Sequence, residues 1–429
     1  MIATPLTLPS LLLLAAYALR IGSIGGSLFW LMTAGLALAP LPWKSWALAG
    51  LLGFGVWQWG DITYALITQR LTLDLPWLRL AAILGTVAVL CLVALLTNCR
   101  MALRNTGLTG TAQALAFLLT VAGLALARQK TSFDIILADR FFPGGGWVAI
   151  FLLGFYAAWV AEKLLQPCNS AKWRRIIWTA FSVIFFLQLF LGLLGFERFL
   201  MTGSLHLPIP ALIAAGPLYR GDGFFMIILF AATLVLVGPA WCSHLCYFGA
   251  WDNLAATGKY RPAKFPEWTK TVRWLIFLIV CVTAIMLGRS GIPVSFALLL
   301  ATVFGLGGIA VMFTQSRKQG HMAHCLIYCP MGLVANLLGK INPWRIRIDR
   351  QCCKCSKCSR FCRYGALTTA DINRGRAGLN CSLCGDCISG CPHDHLHYTF
   401  PGLSNEVSRS GFIVVIVFLH TLFLGLSRL

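Results

Sequence analysis

The sequence has few charged residues and very few acidic ones. Charged side chains make up 11% of its 429 residues, with 14 Asp and Glu against 35 Lys and Arg. A soluble globular protein carries about a quarter charged residues, so this composition excludes a soluble globule. With 58% hydrophobic residues and a mean hydropathy of +0.77, the chain is expected in a membrane. The net charge of +21 then indicates a charge asymmetry across a bilayer, and no nucleic-acid partner is expected.

Long hydrophilic segments are also scarce, and apolar runs separate them. The runs are about 17 to 23 residues long, which is the length that crosses the hydrocarbon core of a bilayer. The first two are short and flank Arg20, so they could instead form one tilted helix or a re-entrant pair. We predict about eleven spans, at residues 8–21, 25–41, 46–66, 75–97, 110–127, 146–165, 176–197, 223–241, 272–289, 293–314 and 411–427.

The positive charges are unevenly distributed among the segments that join these spans. If the spans alternate in direction, most lysines and arginines fall on one side, and segment 315–410 is the richest of all. Loops rich in lysine and arginine remain in the cytoplasm. We therefore expect a cytoplasmic N-terminus, a cytoplasmic segment 315–410 and a C-terminus on the outer side.

The chain lacks the even number of cysteines that is typical of a disulfide framework. The chain has 17 cysteines, an odd number, and most lie in its second half. Two copies of C-x2-C-x2-C-x3-C occupy the one long hydrophilic stretch, and the second begins 29 residues after the first. The first copy consists of Cys352, Cys355, Cys358 and Cys362, and the second of Cys381, Cys384, Cys387 and Cys391, which Pro392 follows.

This spacing is a specific signal for a pair of [4Fe-4S] clusters. Three thiolates on a tight loop bind three corners of a cubane, and in two-cluster ferredoxins the fourth cysteine binds the other cluster. Two four-cysteine zinc sites are the alternative, but zinc sites favour paired C-x2-C elements with a longer spacer. Arg363 follows Cys362 where a proline is usual, and Cys353 is spare. We assign Cys352, Cys355, Cys358 and Cys391 to cluster 1, and Cys381, Cys384, Cys387 and Cys362 to cluster 2.

A second repeat lies where predicted spans end on the cytoplasmic side. Two segments share the pattern Cys-x3-Cys-x2-Gly-x3-Asn, and each follows two spans, so the unit of a helical hairpin plus C-x3-C occurs twice in one orientation. On a helix, a spacing of four would place both thiols of a pair on one side. The first copy contains Cys242, Cys246, Gly249 and Asn253, and the second contains Cys325, Cys329, Gly332 and Asn336.

Three roles are open for these four cysteines. They could converge on a third metal centre, act as redox dithiols, or be buried structural cysteines. His244 and His324 border the pairs and are candidates for hydrogen-bond donors to the thiols or for proton carriers. The remaining cysteines lack partners in the sequence and are expected to fill the core: Cys91, Cys99, Cys168 and Cys281.

With these motifs, the chain resembles the membrane polyferredoxins of the NapH and NosR type over residues 176–400. That family has two C-x3-C-P motifs at helix ends, followed by two ferredoxin motifs. The second motif here, which ends in Cys329 and Pro330, fits fully, whereas Tyr247 replaces the proline of the first. We expect this replacement to change the backbone after Cys246.

The resemblance implies electron transfer in the bacterial inner membrane, with the clusters on the cytoplasmic side. Electrons would pass between a quinol pool or another membrane donor and a redox partner, namely a flavoprotein, a cytochrome or a ferredoxin-type protein. NosR-like members also carry FMN on a threonine, but Thr109–Ala112 does not match that motif, so any FMN would come from a partner. An assembly factor that supplies electrons for the maturation of a metalloenzyme is the alternative.

The sequence thus predicts an α-helical polytopic membrane protein with a small α+β ferredoxin-like cytoplasmic insert that holds two clusters. A quinone site in the loop 199–222 could use His206, with Glu197 or Asp222 as proton acceptor. Four regions are predicted: an N-terminal transmembrane region of unknown role at 1–170, the duplicated membrane core at 171–340, the ferredoxin-like domain at 341–405 and a C-terminal transmembrane helix at 406–429.

Overall fold

The fold was analysed in a computed structural model, which describes residues 4–200, 207–263 and 266–426 and is mostly helical. The chain divides into two compact units. Among the described residues, the first contains 4–162 and 421–426, and the second contains 163–200, 207–263 and 266–420. His206, the predicted quinone ligand, lies outside the described residues.

The first unit is a bundle of helices held by aromatic and small side chains. Phe117 and Phe151 meet edge to face with ring centroids 5.7 Å apart, and the buried amide of Asn98 donates to Thr7 at 2.8 Å. Arg128 pairs with Asp139 through two hydrogen bonds of 2.7 and 3.0 Å. The helices are Thr4–Arg20, Ile24–Leu38, Lys44–Thr72, Leu78–Asn105, Leu108–Lys130, Leu137–Phe141 and Gly145–Leu165, the last of which continues into the second unit.

The second unit combines long helices with several short helical turns. Its longer helices are Ser170–Leu193, Leu212–Arg220, Phe225–Val237, Tyr247–Thr257, Thr269–Arg289, Val294–Val311, Pro330–Leu338 and Asn405–Gly425, the last of which ends in the first unit. Its short helical segments are Glu197–Phe199, Gly238–Ala240, Trp241–Leu245, Met312–Ser316, Arg317–Gln319, His324–Tyr328, Lys357–Phe361, Thr369–Asn373 and Asp386–Ser389.

Eight helices among the described residues are long and apolar enough to cross a membrane: Leu78–Asn105, Leu108–Lys130, Gly145–Leu165, Ser170–Leu193, Phe225–Leu245, Thr269–Arg289, Val294–Gln319 and Asn405–Gly425. The prediction of eleven spans is therefore supported for eight of them. The other three segments are also helical, but Thr4–Arg20 and Ile24–Leu38 are shorter, and Lys44–Thr72 contains Gln58 and Asp61. The first two are separate helices, since the chain turns between them at Gly22 with φ +79°.

The cysteine-rich segment lies between the two strands of an antiparallel sheet. Arg345–Ile348 precedes the first set of cysteines, Leu396–Thr399 follows the second, and Ile346 pairs with Tyr398 in the register. Alternate residues of each strand are buried, which is the pattern of a sheet with one face on a core. The ring of Tyr398 stacks on Phe412 of the last helix at 4.6 Å. The sheet thus brings the two ends of the cysteine-rich segment together.

Candidate metal centres

The two C-x2-C-x2-C loops have the same backbone conformation. Lys354 and Ser356 adopt positive φ values of 54° and 56° in the first loop, and Leu383 and Gly385 adopt 56° and 78° at the equivalent positions of the second. Non-glycine residues with positive φ are uncommon and cost of order 1–3 kcal/mol each. Successive turns of this kind direct backbone N–H groups into a concavity that favours anions, as at many iron–sulfur sites. Both loops are therefore shaped to surround negatively charged thiolates.

Four cysteines from the two motifs surround one buried cavity. Cys387 interacts electrostatically with Cys362, Cys381 and Cys384, and all four line the cavity together with Tyr364. Burial raises the pKa of Cys362, Cys381 and Cys384 to about 12. The amide of Ala366 donates to the sulfur of Cys362 at 3.2 Å. This is the set predicted for cluster 2, including the cysteine from the other motif.

The set predicted for cluster 1 lies nearer the protein surface. Cys358 interacts electrostatically with Cys352 and Cys391, so the fourth cysteine again comes from the other motif. Cys355 is exposed, and a hydrogen bond from the Lys357 amide lowers its pKa. The two sets thus have the same arrangement of donors but different access to solvent.

The C-x3-C pairs repeat one another closely in backbone conformation. Each first cysteine lies in a five-residue π-helical turn, Trp241–Leu245 or His324–Tyr328. Each second cysteine ends that turn, with (φ, ψ) of (−77°, 115°) at Cys246 and (−78°, 117°) at Cys329, and the next helix begins directly after it. Such π-helical turns are frequent at functional sites. The duplication predicted from the sequence therefore extends to the backbone.

Two expectations about these pairs are wrong. Tyr247 does not change the backbone after Cys246, because the first residue of a helix needs only a helical φ, which proline favours but other residues also adopt. Its ring stacks on Phe185 at 3.9 Å. The two thiols of a pair also do not share the side of one regular α-helix, because the motif spans a π-helical turn and the start of a new helix.

The four C-x3-C cysteines nevertheless converge. Cys325 interacts electrostatically with Cys242, Cys246 and Cys329, and all four are buried, with exposures of 5–8%. Burial raises the pKa of Cys246 to about 12. The four thiols therefore form one buried group built equally from the two halves of the repeat.

The motif glycines permit this convergence. A Cβ atom on Gly249 would lie 2.6 Å from the carbonyl oxygen of Cys242, and one on Gly332 would lie 2.2 Å from that of Cys325. Real Cβ contacts are longer than 3.0 Å. Each glycine thus lets the helix after the motif approach the turn that carries the first cysteine.

Four polar residues around the C-x3-C cysteines were not identified from the sequence as site residues. Asp252, which is fully buried, accepts hydrogen bonds from the amide of Cys325 at 2.9 Å and from Ser316 at 2.5 Å. Arg174, Ser243 and Arg273 are also buried and contact the motifs. The sequence repeat could have pointed to the two arginines, because each is the fifth residue of the first long helix in its half of the repeat.

The histidines that border the C-x3-C cysteines differ in their contacts, and the arginine that replaces the usual proline has two backbone partners. The Nδ1 atom of His244 lies 3.0 Å from Ser243, and neither ring nitrogen of His324 makes a well-formed hydrogen bond among the described residues. Arg363 donates to the carbonyls of Lys259 at 2.7 Å and Gly320 at 3.1 Å. The residue that replaces the usual proline thus ties the cysteine-rich segment to the ends of the long helices.

The three groups of four cysteines have the ligand chemistry that iron–sulfur clusters require. All twelve cysteines in them are free thiols, and thiolate is the ligand of iron–sulfur clusters. When bound, such clusters supply one-electron redox chemistry. Within the described residues, no three His, Cys, Asp or Glu side chains are gathered around a site for a single metal ion.

Comparison with known families identifies one part of this arrangement. Residues 223–259 match the Fer4_5 family, described as a 4Fe-4S binding domain. This stretch contains the first C-x3-C pair, Cys242 and Cys246. No curated protein and no solved structure matches the chain. The match of residues 223–259 to the 4Fe-4S binding domain supports an iron–sulfur protein with at least one cluster. The eight apolar helices are compatible with a multi-pass membrane protein. Together they support the class of membrane iron–sulfur electron-transfer proteins.

Proposed function

We propose that this protein carries electrons between a membrane donor and a redox partner through two [4Fe-4S] clusters and a third centre. Clusters 1 and 2 are held by the eight ferredoxin-type cysteines as assigned above. The third centre is held by Cys242, Cys246, Cys325 and Cys329. The observation that carries the proposal is the convergence of these four buried thiols, two of which lie in the segment that matches a 4Fe-4S binding domain.

The contribution of the chain is to exclude water and to orient the thiolates. Because burial raises the pKa values of these thiols, cluster binding would have to release their protons, and the positive charge of the bound irons would offset the charge of the thiolates. The N–H groups of the two loops stabilise the same negative charge. The centres are thereby held in fixed positions along one end of the long helices, as single-electron transfer requires.

Orientation and family are part of the proposal. The excess of lysine and arginine in segment 315–410 supports a cytoplasmic location for the clusters in a bacterial inner membrane. The order of the motifs supports a protein of the NapH and NosR type. The donor is a quinol pool or a flavoprotein partner, and FMN, where it takes part, belongs to the partner.

The surface near cluster 1 favours an acidic partner. Lys354, Lys357 and Arg360 are exposed beside the exposed Cys355. A cluster of like charges raises the association rate of an oppositely charged protein. Electrons would therefore leave or enter the cytoplasmic side through cluster 1, which is the more accessible of the two ferredoxin-type sets.

The iron content of the purified full-length protein tests the third centre. We expect about twelve irons and twelve acid-labile sulfides per chain, because each cubane holds about four of each. Cys325→Ser should lower both to about eight, whereas Cys91→Ser should leave them at about twelve, since Cys91 is a buried cysteine outside the motifs. A wild-type protein with about eight irons would remove the third centre from the proposal.

A further inference from the structure

Two buried arginines occupy equivalent positions in the repeat. Arg174 is the fifth residue of Ser170–Leu193, and Arg273 is the fifth residue of Thr269–Arg289. They are 2% and 8% exposed, although arginine is almost never this buried without a partner. Counted by charge alone, both belong to the cations that orient the helices. Their contacts show a more specific role.

Arg174 connects the first C-x3-C turn to the loop of cluster 2. Its guanidinium donates two hydrogen bonds to the carboxylate of Asp386, at 2.8 and 2.7 Å, and a third to the carbonyl of Ser243 at 2.9 Å. Asp386 lies between Cys384 and Cys387, and Ser243 follows Cys242 directly. A bidentate pair of this kind fixes distance and orientation together.

Ser243 makes the direct contact between the two segments. Its hydroxyl donates to the carbonyl of Ser382 at 2.9 Å, and Ser382 follows Cys381 directly. One hydrogen bond thus separates the backbone next to Cys242 from the backbone next to Cys381. No contact of this kind between the C-x3-C turns and Cys352–Cys358 occurs among the described hydrogen bonds.

Arg273 completes the arrangement from the second half of the repeat. It interacts electrostatically with Cys242, Cys325 and Cys329 and donates to the side chain of Asn380 at 3.3 Å, one residue before Cys381. When the amide of Asn336 is oriented to satisfy its neighbours, its oxygen accepts from Arg273 at 2.9 Å. Arg174 therefore contacts the first C-x3-C turn, Arg273 interacts with cysteines of both turns, and each arginine also contacts one end of the cluster 2 loop.

We infer that Arg174 and Arg273 are positioning residues that hold cluster 2 against the C-x3-C centre, and that electrons pass between these two centres through the Ser243–Ser382 contact. This inference rests on the proposed third centre. With both groups bound, one electron would pass between the group held by the C-x3-C cysteines and the group held by Cys362, Cys381, Cys384 and Cys387, so that one is oxidised as the other is reduced and no covalent bond forms or breaks. The order of centres is then C-x3-C centre, cluster 2, cluster 1.

The ion pair also sets the electrostatic environment of cluster 2. Reduction adds one negative charge, so a buried cation beside the cluster favours the reduced form and a buried carboxylate favours the oxidised form. Arg174 is close enough to Cys384 to interact with it electrostatically, as is Asp386. Removing either partner alone should therefore shift the reduction potential of cluster 2, in opposite directions.

A double-mutant cycle followed by EPR redox titration of the full-length protein tests this inference. We expect Arg174→Gln to make reduction of cluster 2 at least tenfold less favourable, a downward shift of about 59 mV for one electron. Asp386→Asn should shift the potential upward, and the double variant should lie near the wild type. Cluster 1 should keep its potential throughout. A purely structural role would instead lower cluster content without this pattern of signs.

Ser243→Ala tests the contact itself. With iron content unchanged, the magnetic interaction between the reduced C-x3-C centre and cluster 2 should weaken, and electron exchange between them should slow at least tenfold. Arg128→Gln is the matched control, because Arg128 and Asp139 form a bidentate pair in the other unit, and it should alter neither potential nor rate.

The outcomes separate this inference from the proposed function. About eight irons in the wild type would refute the third centre. About twelve irons, with a cluster 2 potential that is the same in all four members of the cycle and an exchange rate unchanged in Ser243→Ala, would overturn the inference alone.

Discussion

At the scale of single residues, the convergence of the four C-x3-C thiols depends on two glycines. Position 332 has no room for a side chain, and this lack of space is the reason for a glycine there. A positive φ is not the reason, since Gly332 lies within the helix Pro330–Leu338. Its neighbour is the backbone carbonyl of Cys325, which cannot move aside as a flexible side chain could. The glycine of the motif is therefore a packing requirement.

We predict that Gly332→Ala destabilises the protein by about 1–3 kcal/mol, the usual cost of overpacking, and lowers the iron content by about four per chain. Thermal unfolding and iron analysis would measure both. Gly85→Ala is the matched control, because a Cβ at Gly85 meets nothing within 4 Å and alanine favours a helix over glycine. Equal effects of the two substitutions would contradict the packing argument.

At the scale of elements, two loops of the same shape differ in their surroundings. The loop of cluster 2 lies under the sheet and beside buried helix ends, so its thiols are shielded and their pKa values are raised. The loop of cluster 1 has exposed residues at Cys353, Lys354 and Cys355. Equivalent sequence spacing therefore produces two sites that differ in their exposure to solvent.

We predict that the cluster-free protein, treated with iodoacetamide at pH 8, is alkylated first at Cys355 and last at Cys362 and Cys384. The thiolate is the reactive form, and a pKa of about 12 leaves about one buried thiol in 10⁴ deprotonated at that pH. Raising the pH should increase alkylation of Cys362 and Cys384, whose pKa values are raised, more than that of Cys355. Peptide mapping by mass spectrometry would measure the order, and a uniform rate would contradict it.

Some of this arrangement could be predicted from the sequence and some could not. The two similar cysteine loops could be predicted, because each C-x2-C-x2-C spacing places three thiols on one loop, and the assignment of the cysteines to two clusters stays a prediction. The partner of Arg174 could not, since Asp386 is 212 residues away and only the fold brings it near. The π-helical turns at Cys242 and Cys325 were missed because a spacing of four is equally typical of an α-helix. The expected change of backbone at Tyr247 was wrong because the first residue of a helix need not be proline.

At the scale of the whole molecule, the proposed orientation places both ferredoxin-type clusters in the cytoplasm. The distribution of lysine and arginine carries this proposal, because basic loops resist translocation. The loop at Gly291 joins two apolar helices at the end opposite to Arg273, whereas Gly402 lies between the second strand and the last helix. These two positions should therefore face opposite sides.

We predict that an epitope inserted after Gly291 is cleaved by protease added to intact spheroplasts, and that one inserted after Gly402 is cleaved only after the membrane is broken. Both glycines lie in turns with positive φ and open space around them, so insertion should be tolerated. Immunoblotting would report the cleavage. The opposite pattern would place the cysteine-rich segment outside the cytoplasm.

The position of the C-x3-C cysteines at one end of their helices has a consequence for the electron donor. Phe225–Leu245 has 21 residues and is thus about 30 Å long, at 1.5 Å per residue. Its far end lies towards the segment Leu212–Arg220, where Tyr219 donates to the carbonyl of Ile292 at 2.6 Å. A quinol oxidised there would be a full membrane thickness from the thiols, too far for one rapid electron step. If these cysteines hold the proposed third centre, a quinol that reduces it directly must approach the cysteine end. Its protons and its electrons would then be released on the same side, and this step would build no voltage.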